Sequence, residues 1–318
     1  MIVRLALTAV ILAILAMGID MRASATAVAQ IDRRYLAAVL ALVAVDRAVM
    51  ILRWILLLRA RGITITTPAA IKLFLISSFV GSFLPAGIGG DAARAYGLTR
   101  DGLEGPRGTE AARWGGTTGS DAVASVAVDR LLGVLSLVVM AIVGVLAWTP
   151  QGGQEWRIGG AIVALTMASG AVFWANELLR WMIPDHRHGR FFTRRLLKVA
   201  DAVGQYRSHR GVLLHVMAWS IVVQVLRVSQ AYLLGLGIGM TVPYAYFLLF
   251  MPLGLLMLLL PVSISGFGAP QWVFVWLLRP MGVADAQSFA LSTLIVLTGL
   301  AGNLPGLWLW LRQRREIL

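Results

Sequence analysis

Cysteine is absent from this chain of 318 residues, and its absence excludes disulfides, thiolate nucleophiles and cysteine metal sites. Charged residues are also scarce, at 14% of the sequence, whereas a typical soluble domain has about 25%. Asp185, His186 and His188 could bind a metal, but a solvated loop at the lipid surface is the preferred interpretation. No serine–histidine–aspartate array or carboxylate pair suggests a hydrolytic centre. We therefore expect no metal, no cofactor and no catalytic residue.

Hydrophobic residues are abundant instead, at 58% of the sequence with a mean hydropathy of +0.79. No stretch of about 80 residues lacks a hydrophobic run, so a separate soluble domain has nowhere to fit. We expect residues 1–318 to form a single membrane domain. The net charge of +13 is interpreted as loop orientation and contact with anionic lipids, in preference to nucleic-acid binding.

Several segments are long and apolar enough to cross a bilayer. They are 1–20, 35–58, 122–148, 158–179, 212–236 and 288–311. The first competes with a cleaved signal peptide, because Ala23-Ser24-Ala25 is similar to a signal-peptidase site, and a retained helix is favoured. The predicted fold class is an all-α polytopic membrane protein with about six full transmembrane helices.

Two further hydrophobic stretches break in the middle, at 83–94 and 260–271. Non-helical backbone persists inside a bilayer only where protein or a water-filled cavity satisfies its polar groups. Two such breaks, one in each half of the chain, predict a binding site between inverted repeats. The candidate binding residues at the breaks are Gly87, Gly89, Gly90, Asp91 and Arg94 in the first and Ser263, Ser265, Gly266, Gly268 and Gln271 in the second.

The distribution of basic residues predicts the topology through the positive-inside rule. The arginine-rich loop 180–210 and the arginine-rich tail 312–315 are both assigned to the cytoplasm. Parity then places both ends of the first broken segment on the cytoplasmic side and both ends of the second outside. We therefore expect two re-entrant helical hairpins of opposite orientation, cytoplasmic termini, and inverted repeats at 1–149 and 150–318.

Charged residues also occur inside the predicted spans, where each costs about 3 kcal/mol on insertion scales. Adjacent aspartate–arginine pairs are consistent with internal ion pairing that fixes helix packing. Arg227, beside Gln224, has no acidic residue nearby in sequence and is predicted to be functional. The residues concerned are Asp46, Arg47, Arg53, Asp129, Arg130 and Arg227.

The two breaks differ in chemistry. In the first, glycines allow close backbone approach, and Asp91 and Arg94 share a helical face. If a helix begins at Ala92, Asp91 is its N-cap, free N–H groups nearby can bind a phosphate, and Arg94 adds a bidentate contact. The alternative is that the glycines only permit a tight turn. The second break carries hydroxyls and an amide but no charge, which suits a neutral glycerol or sugar portion of a lipid.

The last predicted span contains a pair of small residues, Gly302 and Gly306, with Pro305 between them. This spacing is typical of close helix packing in membranes, and the proline can kink the helix. We expect a packing role for this segment.

Three motifs occur in order along the chain. They are 85–94 with Tyr96, Ser125-x-x-x-Asp129-Arg130-Leu131, and Pro261-x-Ser263-Ile264-x-Gly266-x-Gly268. With these motifs the chain resembles the flippase-like family typified by the transmembrane region of lysylphosphatidylglycerol synthase, with relatives in hopanoid, archaeal glycan and bacterial envelope pathways. Gln271 stands where the family usually has an acidic residue, and Pro270 where it usually has a basic one. A charged pair or proton coupling at the second break is therefore not carried over.

The resemblance implies a non-enzymatic transporter of the bacterial inner membrane that moves an anionic or glycosylated lipid between leaflets through a midplane cavity. Arg94, Arg130 and Arg227 would engage the headgroup phosphate, and Asp91 and Asp129 would orient those arginines or relay protons. Lipid modification is not expected, because the aminoacyl-transferring soluble domain of the full synthases is absent.

Two other functions are weighed against this one. The first is an accessory membrane subunit of a lipid, hopanoid or glycan pathway that docks a lipid-modifying enzyme on the loop 180–210. The second is an integral-membrane glycosyltransferase, which needs a catalytic carboxylate and a sugar-nucleotide or metal site that the sequence does not offer.

Overall fold

The computed structural model describes residues 19–63, 65–83, 88–103, 119–148, 204, 206, 209–258 and 269–315. All regular secondary structure in these ranges is helical. In chain order the helices are α1 (Met21–Ala29), α2 (Arg33–Ala60), α3 (Thr67–Ser82), α4 (Ile88–Leu103), α5 (Gly119–Ala147), α6 (Arg210–Gly237), α7 (Tyr244–Leu258), α8 (Ala269–Leu278), α9 (Asp285–Ala301) and α10 (Leu304–Arg315). A 3-10 turn, Arg279–Met281, lies between α8 and α9.

Four segments of the described chain are long and apolar enough to cross a membrane. They are Arg33–Ala60, Asp121–Ala147, Arg210–Gly237 and Asp285–Arg312. Each coincides with a predicted span, so these four predictions are confirmed within a few residues at each end. The remaining two predicted spans, 1–20 and 158–179, lie outside the described ranges except for Ile19 and Asp20. The all-helical, multi-pass membrane class is therefore confirmed.

Short polar and proline signals mark where the helices begin and end. The carboxylate of Asp32 accepts a hydrogen bond from the backbone N–H of Arg34 (2.8 Å), which caps the start of α2. After α2 the chain turns at Gly62, whose φ of 66° is readily adopted only by glycine. Pro68 lies in the first turn of α3, where a missing N–H costs nothing.

The last predicted span is two helices rather than one. α9 ends at Ala301 and α10 begins at Leu304, so Pro305 lies in the first turn of α10 and the interruption falls beside the proline predicted to kink the span. A Cβ at Gly302 would overlap the side chain of Val43, and a Cβ at Gly306 would overlap the backbone carbonyl of Leu75. The predicted packing role of the two glycines is confirmed, since both permit close contact with other helices.

Two short helical pairs stand at the predicted breaks. We refer to α3–α4 as the first pair and α7–α8 as the second pair. Within each pair the two helices pack against each other, and α3 also packs on α10 while α7 packs on α5. The two long helices α2 and α6 pack along each other between the pairs. Each pair is therefore held by the last span of the opposite half of the chain.

Buried apolar side chains of the described residues form four clusters, and the two with the most members include the helical pairs. The larger joins α2, α6 and α9 to the second pair and contains the buried aromatic side chains of Phe247, Phe250 and Phe274. The smaller joins α2 to the first pair through Trp54 and Phe74. In a bilayer such contacts stabilise helix packing mainly through van der Waals attraction.

Candidate functional site

A cavity of about 400 Å³ lies among α2, α5, α6, α7, the first pair and the α9–α10 junction. Its wall contains seven charged side chains. They are Asp46, Arg47, Arg53, Arg94, Asp129, Arg130 and Arg227. Five of them are arginines and only two are aspartates, so the wall carries an excess of positive charge, and an anionic ligand would balance it.

Asp129 holds a buried ion-pair cluster in this wall. Its carboxylate accepts hydrogen bonds from Arg53 Nη2 (2.6 Å) and Nε (3.0 Å), and its second oxygen lies 3.5 Å from Arg94 Nη1. Arg53 also donates to the hydroxyl of Ser220 (2.9 Å). The three residues Arg53, Arg94 and Asp129 are each at most 5% exposed. The cluster therefore links α2, α4, α5 and α6, and removing Asp129 would leave two buried arginines without the carboxylate that pairs with them.

Arg94 is the member of this cluster with unused hydrogen-bonding capacity. Its guanidinium lies 4.3 Å from the ring centre of Phe74 and 5.2 Å from that of Trp54, within range of cation–π attraction. Its contact with Asp129, at 3.5 Å, is much longer than that of Arg53. Its buried Nε has no hydrogen-bond partner among the described residues. Arg94 is thus held in place by aromatic rings and keeps donors for a ligand.

Asp91 forms a bidentate pair with Arg130. Arg130 Nε donates to Asp91 Oδ2 (2.7 Å) and Nη2 donates to Oδ1 (3.1 Å), the geometry that favours arginine over lysine. The expected N-cap role of Asp91 is wrong, because α4 begins three residues earlier, at Ile88. Asp91 lies in the first turn, where a negative charge interacts favourably with the helix dipole. Its contact fits the orienting role predicted for it.

Arg227 obtains from α2 the acidic partner that its own sequence neighbourhood lacks. Its Nε lies 3.3 Å from Asp46 Oδ1, while Arg47 Nη1 lies 3.6 Å from Asp46 Oδ2. Arg47 also donates to the backbone carbonyl of Gly299 (3.4 Å). Asp46, like Asp129, is therefore an aspartate placed between two arginines.

The glycines of the first break have a packing role where they are described. A Cβ at Gly90 would lie 2.6 Å from the carbonyl oxygen of Ser77 and 2.9 Å from the Cα of Gly81, so α4 approaches α3 at backbone distance. Gly89 lies beside it in the first turn of α4. Gly87 lies outside the described residues.

The second break contributes less to the described cavity wall than we expected. Gln271 is fully buried in the first turn of α8, but it is not among the cavity-lining residues. The second pair contributes Met251 and Leu255 to the wall, both apolar. Four of the predicted residues, Ser263, Ser265, Gly266 and Gly268, lie outside the described ranges.

Several wall residues were not predicted as binding residues. Asp46, Arg47 and Arg53 were recognisable as charges inside a span, but ion pairing alone explained them equally well. Gln230 and Asn303 gave no sequence signal, because single amides in a hydrophobic segment are common.

No group of three or more histidine or acidic side chains suited to a metal ion occurs in the described ranges. The loop residues Asp185, His186 and His188, considered above as metal ligands, lie outside those ranges, as does nearly all of the loop 180–210. The described part of the candidate site is therefore the arginine-lined cavity.

These features define a multi-pass helical membrane protein with an internal, predominantly cationic site. The sequence profile of the family described as the lysylphosphatidylglycerol synthase TM region matches residues 1–306. The chain belongs to this family, as its motifs predicted. No curated protein gives a significant match to the sequence.

Proposed function

We propose that this protein is a flippase-type transporter that moves an anionic or glycosylated lipid between the leaflets of the bilayer, and that it is not an enzyme. The observation that carries the proposal is the excess of arginine in the cavity wall. Buried cations are costly unless something neutralises them. A headgroup phosphate would supply that charge, and family membership supports a lipid-related role in the membrane.

Arg94, Arg130 and Arg227 are the proposed phosphate ligands. Arginine binds phosphate through two parallel hydrogen bonds. The long 3.5 Å contact between Arg94 and Asp129 is the ion pair of that cluster that a phosphate would replace at least cost. Asp129 would keep its shorter bonds to Arg53, so the cluster would stay together while Arg94 changes partner.

An apolar groove supports a lipid rather than a soluble anion. The groove, of about 360 Å³, runs between α2, α3 and the α9–α10 junction and shares Val43 and Arg47 with the charged cavity. The rest of its lining is apolar, including Leu40, Ile51 and Leu75. A headgroup in the cavity and an acyl chain in the groove would meet at Arg47, whose aliphatic stem and charged head suit such a boundary.

The proposed transport uses the two helical pairs as re-entrant hairpins of an inverted repeat, with both chain termini in the cytoplasm. The packing supports this repeat. Exchanging the two halves of the chain relates the α3–α10 contact to the α7–α5 contact and the α4–α5 contact to the α8–α9 contact. Transport would then proceed by rocking one repeat against the other around the cavity.

The test is lipid translocation in liposomes containing the purified protein and fluorescently labelled phosphatidylglycerol. Dithionite added outside quenches label that reaches the outer leaflet. We expect the wild-type protein to accelerate quenching of inner-leaflet lipid, and Arg94→Gln to reduce the rate about tenfold or more, since a charge-assisted contact is worth about 1.5–3 kcal/mol. Arg279→Gln is the matched control, because Arg279 pairs with Asp285 on the surface, with its side chain 62% exposed.

Two results would contradict the proposal. If the folded wild-type protein moves no anionic or glycosylated lipid, the transporter proposal is wrong and the accessory-subunit function is favoured. If Arg94→Gln and Arg279→Gln transport equally well, the arginine-lined cavity is not the path. Arg94→Lys, which keeps the charge but loses the planar fork, provides a second variant of the same site.

A further inference from the structure

One amide in the cavity wall has its orientation fixed by a serine. Ser136 donates its only hydroxyl hydrogen to the carbonyl of Gly133 (2.7 Å), so towards Gln224 it can only accept. Gln224 Nε2 therefore donates to Ser136 Oγ (3.0 Å). This assignment leaves Gln224 Oε1 as a buried acceptor with no partner in the described structure, on a side chain that is 2% exposed.

A serine also fixes the orientation of a second amide in the wall, that of Asn303. Ser82 donates its hydroxyl hydrogen to the carbonyl of Ser78 (3.0 Å) and accepts from Asn303 Nδ2 (2.7 Å). Asn303 Oδ1 is then a buried acceptor without a hydrogen-bond donor among the described residues. Gln224 and Asn303 line the cavity from α6 and the α9–α10 junction, so two independent elements carry the same unused group beside it.

The chemistry of these acceptors limits what could bind them. An ionised phosphate has only acceptor oxygens and cannot satisfy an amide oxygen. An ammonium group could donate, but the arginines of the wall would repel it. A neutral hydroxyl donates without adding charge. It can also accept, and Gln230 Nε2 is a buried donor in the same wall without a partner among described residues.

We propose that Gln224 and Asn303, with Gln230, form a hydroxyl-binding subsite beside the arginines. The ligand would then be an anionic lipid whose phosphate carries a polyol, either glycerol or a sugar. This inference rests on the proposed function, from which it takes that the ligand is a lipid. It moves recognition of the neutral headgroup portion from the second break, where the sequence predicted it, to α6 and the α9–α10 junction.

The test is equilibrium binding of short-chain lipids to the full chain in detergent, measured by isothermal titration calorimetry. The probes are dihexanoyl phosphatidylglycerol, which has hydroxyls, dihexanoyl phosphatidylmethanol, which has the same single negative charge but no hydroxyl, and dihexanoyl phosphatidylethanolamine, which has an ammonium. We expect phosphatidylglycerol to bind about tenfold more tightly than phosphatidylmethanol, because unmade hydrogen bonds to buried groups are penalised. Phosphatidylethanolamine should bind more weakly than either.

The variants Gln224→Leu and Asn303→Leu remove the acceptors while keeping side-chain size. Each should weaken phosphatidylglycerol binding several-fold and leave phosphatidylmethanol binding unchanged. Gln287→Leu is the matched control, since Gln287 donates to the carbonyl of Ile238 (3.5 Å) away from the cavity. Should the leucine variants fail to fold, Ser136→Ala and Ser82→Ala release the amides to rotate and should reduce the preference between the two lipids by a smaller factor.

The proposal is overturned if the wild-type protein binds phosphatidylglycerol and phosphatidylmethanol equally, or if the amide variants weaken both alike. Its failure is distinguishable from failure of the transporter. Translocation without a preference between the two lipids refutes the subsite alone. Selective binding without any translocation refutes the transporter and supports the subsite.

Discussion

The first and second helical pairs occupy corresponding places in the fold, but they present different surfaces to the cavity. The first pair supplies Arg94 and the polar edge at Ser82, whereas the second supplies the apolar side chains of Met251 and Leu255. The two pairs have the same arrangement of short helices, but the first lines the cavity with cationic and polar side chains and the second lines it with apolar side chains. Both pairs hold the cavity, but in the described residues headgroup chemistry is concentrated at the first pair and the long helices.

The two pairs also differ in how their helices meet. In the first, Gly90 brings the backbone of α4 against the backbone of α3 at Ser77. In the second, Gly254 accommodates the ring of Phe274, which also contacts Phe250 at 5.3 Å between ring centres. Backbone contact is rigid, whereas an aromatic ring in a glycine pocket can shift. The first helical pair is therefore the more tightly constrained of the two.

Removing the ring from the second pair should have the largest effect on stability. Phe274 is 3% exposed within the main apolar cluster, and Phe274→Ala should lower the free energy of unfolding by about 3–5 kcal/mol. Reversible unfolding in mixed micelles measures this loss. Because the second pair lacks charged wall residues in its described part, the relative affinities for phosphatidylglycerol and phosphatidylmethanol should not change. A changed ratio of these two affinities would show that the second pair also recognises the headgroup.

A matched pair of glycine substitutions compares the two contacts directly. Gly90→Ala should lower the free energy of unfolding by about 1–3 kcal/mol, since its methyl meets backbone that cannot move aside. Gly254→Ala should cost less, because its methyl meets the ring of Phe274. Unfolding both variants under the same conditions shows which substitution lowers the free energy of unfolding more. The reverse order would contradict the view that the first pair is the more constrained.

The smallest effect is expected at the surface. Arg279 donates two hydrogen bonds to Asp285 at 2.9 and 2.6 Å, a geometry as good as that of the buried pairs, and these bonds raise the pKa of Arg279. Exposed ion pairs nevertheless contribute little because water and salt screen them. Arg279→Ala should leave the apparent melting temperature unchanged within error. A clear decrease would mean that ion-pair geometry matters more than burial in this protein.

The sequence predicted the helical elements well but not their partners. Apolar segments between polar caps are local features, so the described spans and the interruption before Pro305 could be located from residue order. Ion-pair partners depend on packing between distant helices. Arg53 reaches Asp129 across 76 positions, and Arg227 reaches Asp46 across 181. No local pattern specifies such pairs, although the unusual placement of the charges signalled that each needed one.

The start of α4 shows how packing overrides local preference. Glycine is a poor helix former, so the residues before Asp91 were interpreted as a turn and Asp91 as a cap. Gly89 and Gly90 lie within the helix instead, and at Gly90 the lack of a side chain allows close contact with α3. That gain comes from a neighbouring helix and is invisible in the order of residues.

The contact between α3 and α10 has a consequence for assembly in the membrane. Asn303 bonds to Ser82 across 221 positions, and Gly306 packs on the backbone of Leu75. During synthesis, α3 is therefore made long before the helix that covers it. Until then its polar edge lacks this partner. Completion of the charged cavity therefore requires synthesis of the final span, and a chain stalled before Gly302 would lack the partners of Ser82 and Leu75.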